Sequence, residues 1–205
     1  MIFDPSKPPL TDSAGLLKSI PVEAGPEIWK RDTRVISSGL CDLQVNGFAG
    51  VDYNDPTLMP EEFEKSLFAM LSTGVTTCLP TVITGSEDWQ IQCFHALETG
   101  RNASKIAQAM VPGYHLEGPF LNPEEGFCGC HPTKWMRSAT WDHFERLQEA
   151  AGGRITLITV APEIKGVLDL IPKWVEKGIA VAIGHCNPDR DTLLRAADAG
   201  ATLST

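Results

Sequence analysis

The sequence predicts an α/β fold built on a parallel sheet. Short apolar stretches rich in β-branched residues alternate with stretches of helical periodicity, and glycine or proline stands at most of the junctions. The apolar stretches are nearly continuous rather than alternating, which is typical of strands buried on both faces of a sheet. With 205 residues, of which 42% are hydrophobic, the chain can bury a sizeable core.

The first strand and helix of this pattern lie in residues 35–74. Residues 35–47 predict a buried strand that ends in amides and a glycine. Pro60 and two glutamates open a helix, apolar residues share one of its faces, and Gly74 ends it. This stretch is therefore one strand–helix unit.

The same order recurs to the last residue. Strands are predicted at residues 75–83, 110–117, 155–160 and 179–183, and a last strand begins in 201–205. The intervening helices are predicted from Ser86 to about Ala109, from Ser138 to about Gly152, up to Gly178, and from Asn187 to Gly200. About five units and a further strand result.

Two architectures fit this count. A doubly wound sheet closes at about this number, but neither a GxGxxG nor a Walker loop follows a strand. A (β/α)8 barrel needs about eight units and roughly 250 residues, so on this interpretation the chain is an incomplete barrel. We expect residues 35–205 to form that partial barrel and residues 1–34 to be a poorly defined arm or the remnant of a small β domain.

Composition and charge exclude several classes of partner. The net charge of −9 repels phosphate backbones and anionic surfaces, so we expect no nucleic acid partner. The sequence has no apolar run of the roughly 18 residues that span a bilayer and no signal-peptide pattern at its start, so we expect no membrane partner and a cytoplasmic location. The six cysteines are scattered, which indicates reduced thiols.

Polar side chains at predicted strand ends point to a site. They are Gln44 and Asn46, Glu117, Glu163 and His185, and Gly118 and Pro119 fix Glu117 at the end of its strand. A carboxylate and an imidazole at the same end of neighbouring strands can converge on a divalent ion such as zinc. The alternatives are a glutamate that caps a turn and a histidine satisfied in the core. A rival zinc site at Cys128-Gly129-Cys130-His131 lacks a second ligand pair at zinc spacing.

Several linked motifs together resemble one family. In chain order they are Asp42-Leu43-Gln44-Val45-Asn46-Gly47, Gly74-Val75-Thr76-Thr77 with Leu79-Pro80-Thr81, His115-Leu116-Glu117-Gly118-Pro119-Phe120, Gly129-Cys130-His131-Pro132, Ala161-Pro162-Glu163 and Gly184-His185. The set resembles the N-acetylglucosamine-6-phosphate deacetylases of the amidohydrolase superfamily, over about residues 35–205. Gln44-Val45-Asn46 matches the Gln-x-Asn of this family, where most amidohydrolases carry His-x-His.

The resemblance implies roles for individual residues. Glu117 and His185 would be metal ligands, and Gln44 and Asn46 would lie near the metal and its water. Cys130 and His131 would line the sugar pocket, although Cys128-Gly129-Cys130 departs from the family's Lys-Gly-Ala and drops its lysine. The third ligand histidine, the aspartate acid–base and the phosphate-binding arginine are expected beyond Thr205, so no catalytic aspartate is assigned within the chain.

The implied function is the metal-dependent deacetylation of N-acetylglucosamine 6-phosphate to glucosamine 6-phosphate and acetate, in amino-sugar catabolism. The metal is expected to be Zn²⁺, with Fe²⁺, Mn²⁺ or Co²⁺ as alternatives, and the intact family member is expected to be a homodimer. Two other functions stay open. One is a catalytically inactive fragment that binds a metal or a sugar phosphate, and the other is a deacetylase of a related N-acetyl amino-sugar phosphate.

Overall fold

A computed structural model describes residues 39–205, which contain one large parallel sheet and six α-helices. The strands of the large sheet are β1 (Leu40–Val45), β4 (Val75–Val82), β5 (Tyr114–Glu117), β6 (Ile155–Val160), β7 (Ala180–Ile183) and β8 (Leu203–Ser204). A small antiparallel hairpin consists of β2 (Gly47–Phe48) and β3 (Val51–Asp52). The helices are α1 (Pro60–Leu71), α2 (Glu87–Ala103), α3 (Lys105–Met110), α4 (Trp141–Ala150), α5 (Val167–Glu176) and α6 (Arg190–Asp198).

The strand order decides between the two predicted architectures. The order is β1-β4-β5-β6-β7-β8, every neighbouring pair is parallel, and each strand lies beside the one that precedes it in the large sheet. A doubly wound sheet reverses its order at a switch point, whereas a (β/α) barrel does not. The prediction of an incomplete (β/α) barrel is therefore confirmed, with six strands of the eight that a closed barrel has.

Side-chain caps fix the starts of α2, α4 and α6. The side chains of Ser86, Thr140 and Asp189 accept hydrogen bonds from backbone amides three residues later, at 3.3, 3.4 and 2.7 Å. Such caps satisfy donors that have no partner inside the helix. α1 begins instead with Pro60 in its first turn, as its sequence predicts.

The structure corrects three details of the predicted elements. The single helix expected from Ser86 to about Ala109 is broken at Ser104, whose backbone is extended and whose side chain caps α3. The hairpin β2–β3 was not predicted. The first strand ends at Val45, so Asn46 follows it, while its predicted start at 35–38 and the predicted arm at 1–34 lie outside the described residues.

The main core lies between the sheet and its helices. It holds fully buried aromatic side chains from several parts of the described chain: Tyr53, Phe63, Phe94, Tyr114, Phe120, Phe144 and Trp174. Phe120, which follows the β5 strand end, stacks on Trp174 of α5 with ring centroids 6.1 Å apart. This contact anchors the loop after β5 against the helix layer. All six cysteines are free thiols, and the described helices include none that is both long and apolar enough to cross a membrane.

Candidate metal centre

Glu117 is the last residue of β5 and is buried, with 2% of its surface exposed. The chain turns sharply after it, because Gly118 has a φ of +87° and a side chain at that position would collide with Thr84. Burial raises the pKa of the Glu117 carboxyl, and nearby His185 and the hydrogen bond from Gln44 oppose that shift. A carboxylate in this position needs a strong partner for its charge.

Gln44 and His185 contact the two oxygens of this carboxylate. Gln44 Nε2 donates to Glu117 Oε2 at 3.0 Å, and His185 Nε2 lies 3.2 Å from Glu117 Oε1. Gln44 belongs to β1, Glu117 to β5, and His185 follows the end of β7. The carboxyl ends of these parallel strands therefore bring the three side chains together, as expected for a barrel site.

The ring of His185 is oriented by the loop that follows β5. His185 Nδ1 lies 3.1 Å from the carbonyl oxygen of Phe127. A carbonyl can only accept, so Nδ1 carries a proton and donates it, and Nε2 is the ring nitrogen that faces Glu117. Metal-bound histidines commonly have this arrangement of a donating second nitrogen.

His131 is the third titratable side chain of the centre. Its Nε2 lies 3.8 Å from Glu117 Oε2, and its ring centroid is 4.4 Å from that of His185. The backbone N–H of Thr84 donates to His131 Nδ1 at 3.4 Å, so we assign the neutral ring a proton on Nε2. Burial and nearby His185 lower the pKa of His131 to about 4, which keeps it neutral at pH 7. This tautomer makes His131 a hydrogen-bond donor toward the site rather than a third ligand.

A divalent metal ion fits this set of side chains. One side-chain oxygen or nitrogen from each of Glu117, His131 and His185 lies within 4.8 Å of the other two, although in the assigned tautomer only Glu117 and His185 would bind an ion directly. Glu117 Oε1 is buried and makes no hydrogen bond within residues 39–205. A buried carboxylate oxygen left in this way is costly unless a cation binds there, and oxygen with imidazole nitrogen is a donor set that suits zinc. The Nε2 lone pair of His185 and the free oxygen of Glu117 would hold the ion.

The other predicted site residues lie less directly in the centre. Asn46 is exposed, and its side chain makes no hydrogen bond within the described residues, although its carbonyl accepts from Tyr53 N at 2.9 Å. Cys130 is also exposed, next to buried His131. Glu163 does not contact Glu117; its Oε1 accepts hydrogen bonds from Asn122 and from the backbone of Asn187.

A buried polar layer lies two residues before Glu117 on β5, and the sequence did not indicate it. His115 Nδ1 is 3.3 Å from Thr81 Oγ1 on β4, and His115 Nε2 is 2.7 Å from Thr159 Oγ1 on β6. The chain of contacts continues from Thr159 to Thr205 Oγ1 at 3.0 Å. Residues 115 and 117 point to the same face of β5. The layer therefore forms the floor beneath the carboxylate.

Comparisons with known proteins agree with the motifs. No protein-family model matches the chain. It is 34% identical over 170 residues to N-acetylglucosamine-6-phosphate deacetylase of Haemophilus influenzae, covering 83% of this chain and 42% of the relative. It is 34% identical over 200 residues to N-acetylgalactosamine-6-phosphate deacetylase of a Shewanella species, covering 92% of this chain and 46% of the relative.

Solved structures extend the likeness to the fold. N-acetyl-D-glucosamine-6-phosphate deacetylase of Mycobacterium smegmatis, solved as a mutant with N-acetyl-D-glucosamine-6-phosphate bound, matches with a TM-score of 0.72 and 28% identity, over 82% of this chain and 42% of that one. The resemblance to the N-acetylglucosamine-6-phosphate deacetylases is confirmed. The chain spans 37% to 49% of the length of the curated relatives that it matches.

Proposed function

We propose that this chain binds one divalent metal ion, Zn²⁺ in the first instance, and serves the deacetylation of N-acetylglucosamine 6-phosphate to glucosamine 6-phosphate and acetate. The observation that carries the proposal is the buried carboxylate of Glu117 facing Nε2 of His185 across 3.2 Å. The names of the relatives support the substrate and the reaction class. A cytoplasmic location and a homodimer belong to the same proposal, on the strength of the family resemblance.

The residues of the chain have separate tasks in this reaction. Glu117 and His185 would hold the ion, which supplies a Lewis acid that polarises the acetamide carbonyl and lowers the pKa of the attacking water. Gln44 Nε2 donates to Glu117 Oε2 and so leaves Oε1 free for the ion. His131 stays neutral and offers its Nε2–H as a donor to an oxygen of the sugar phosphate.

A second substrate is favoured by one observation. The Shewanella relative, which is named an N-acetylgalactosamine-6-phosphate deacetylase, aligns with 92% of this chain. The two sugars differ only in the configuration of one ring hydroxyl, so discrimination rests on a few polar contacts. Cys130 and His131 would line that part of the pocket, and Cys130 stands where the family has alanine.

Metal binding tests the proposal first. We expect the metal-free chain to bind one Zn²⁺ or Co²⁺ in calorimetry. Glu117→Gln and His185→Asn should each lower the metal affinity at least about 100-fold, because loss of a residue that only supports a ligand already lowers it by up to that amount. His95→Gln, at an exposed histidine, is the matched control and should bind as the parent does. Equal affinity in all four proteins would refute the centre.

Sugar binding tests the second half. The metal-loaded chain should bind N-acetylglucosamine 6-phosphate or N-acetylgalactosamine 6-phosphate more tightly than glucose 6-phosphate. His131→Asn should remove that preference. Binding is the readout because the resemblance assigns the proton-transferring aspartate to no residue of this chain. A metal-loaded chain that binds the three sugar phosphates equally would leave the metal centre standing and overturn the substrate assignment.

A further inference from the structure

The candidate ligand His185 has a backbone conformation that needs support. Its φ is +49°, in the left-handed region, and it is not a glycine. Residues in this strained conformation persist only where several surrounding contacts hold them, and they are concentrated at functional sites. The contacts that hold the backbone around His185 are therefore part of the metal centre.

Two hydrogen bonds hold the turn that contains His185. The carbonyl of His185 accepts from the backbone N–H of Asn122 at 3.0 Å. Two residues later, the backbone N–H of Asn187 donates to Glu163 Oε1 at 2.6 Å. Asn122 follows β5 and Glu163 follows β6, so loops after two neighbouring strands hold the loop after the third.

Glu163 and Asn122 also bind each other. Asn122 Nδ2 donates to the same Oε1 of Glu163 at 2.8 Å, and Asn122 Oδ1 accepts from the backbone N–H of Glu124 at 2.8 Å. The second contact begins the segment that leads to Phe127, whose carbonyl accepts the His185 Nδ1 proton. Glu163 Oε1 thus holds both the turn that contains His185, through Asn187, and the segment that orients the His185 ring, through Asn122.

We propose that Glu163 is a positioning residue, which together with Asn122 holds His185 in its left-handed conformation with Nε2 directed at Glu117. Glu163 lies outside the ligand set, and its effect on metal binding is exerted through His185. The metal-binding consequence rests on the proposed function, whereas the effect on the His185 ring does not.

The roles of the two oxygens of Glu163 give a sharp set of variants. Only Oε1 accepts hydrogen bonds within the described residues, and Oε2 is buried without a partner. Glu163→Gln keeps a carbonyl acceptor in the place of Oε1, whereas Glu163→Ala removes it. Asn187→Ala is the matched control, because it removes only the long 3.4 Å contact of the Asn187 amide with Glu124 Oε2 and keeps the backbone N–H that donates to Glu163.

The decisive measurements are zinc affinity and the ring NMR signals of His185, both at one fixed pH. We expect Glu163→Ala to lower zinc affinity by about 10- to 100-fold, the range found for partners that orient ligands, with Glu163→Gln and Asn187→Ala within about threefold of the parent. In the metal-free protein, the slowly exchanging Nδ1 proton of His185 should be visible in the parent, Glu163→Gln and Asn187→Ala, and lost in Glu163→Ala.

A double-mutant cycle completes the design. If the pair acts as one unit, Glu163→Ala combined with Asn122→Ala should lose no more affinity than the stronger single variant. If Glu163→Ala does not fold, Asn122→Ala, which removes one of the two donors to Oε1, should show a smaller loss of the same kind.

An unchanged His185 signal with unchanged affinity in both alanine variants would overturn the proposal. Failure of the parent to bind zinc would refute the proposed function but leave the ring signal as the test of positioning.

Discussion

Replacement of Glu117 by glutamine should stabilise the metal-free chain and remove most of the stabilisation by zinc. In the metal-free state the carboxylate is buried, its Oε1 makes no hydrogen bond within the described residues, and its pKa is raised by that burial. The glutamine amide would accept from Gln44 on one side and donate to His185 Nε2 on the other, across the existing distances of 3.0 and 3.2 Å. The variant therefore no longer buries the charge of the Glu117 carboxylate, and it gains the hydrogen bond to His185 Nε2.

The expected size follows from these two changes. Satisfying one buried polar atom contributes about 1 to 3 kcal/mol to the free energy of unfolding, and we expect a gain in that range for Glu117→Gln in chelator. Zinc at about 100 times its dissociation constant adds about 2.7 kcal/mol to a protein that binds it only when folded. The parent should therefore overtake or match the variant once zinc is present.

Urea unfolding at pH 8, with chelator and then with zinc, measures both quantities, and equal m-values would show that the same surface is exposed in each protein. Glu98→Gln is the matched control, since Glu98 accepts from Tyr114 Oη and pairs with Arg154 Nη1, both at 2.7 Å. That carboxylate is structural, so its variant should lose stability equally with and without zinc. If Glu117→Gln behaves like Glu98→Gln, the Glu117–His185 contact is a structural ion pair and the reasoning is wrong.

Two further predictions concern the loop beside the centre and the layer beneath it. Gly129→Ala should weaken zinc binding at least about tenfold more than Gly126→Ala, because only at Gly129 would a Cβ come within 2.8 Å of the His185 ring. Both glycines have a positive φ, so Gly126→Ala controls for backbone strain, and equal effects of the two variants would contradict the prediction. Burial lowers the pKa of His115 from an ordinary 6.5 to about 4. As the pH falls, His115 is therefore protonated in the unfolded chain before it is protonated in the folded one, and the free energy of unfolding should fall by roughly 3 kcal/mol between pH 6.5 and 4. His115→Gln should reduce that slope by about 1.4 kcal/mol per pH unit in urea titrations, and an unchanged slope would assign the acid sensitivity to other groups.

The order of elements and the ends of strands could be predicted because local sequence encodes them. Ser86 and Asp189 cap helices by bonds that span three residues, and Gly118 sets its turn through its own backbone. The parallel order then requires that strand ends share one edge of the sheet. The approach of Glu117 to His185 follows from these local signals without knowledge of any side-chain packing.

The features that could not be predicted depend on contacts distant in sequence. The break at Ser104 is stabilised by a hydrogen bond from its hydroxyl to Glu64 of α1, 40 residues earlier, at 2.5 Å. The layer around His115 depends on strand register, which pairs Thr81 with His115 across β4 and β5. Periodicity identifies a strand, but it does not say which residue of the next strand lies opposite.

The segment Cys128-Gly129-Cys130-His131 shows how packing separates constrained from free positions. Gly129 contacts the His185 ring so closely that a Cβ would overlap it, and His131 is buried against Thr84 and Glu117. These are the two positions at which the segment keeps the Lys-Gly-Ala-His pattern of the family it resembles. Cys128 is partly exposed and Cys130 is exposed, and these are the two that differ. Because neither cysteine is among the groups that could share an ion within the described residues, the segment supports His185 and presents His131, and a separate zinc site formed by its own thiols has no support.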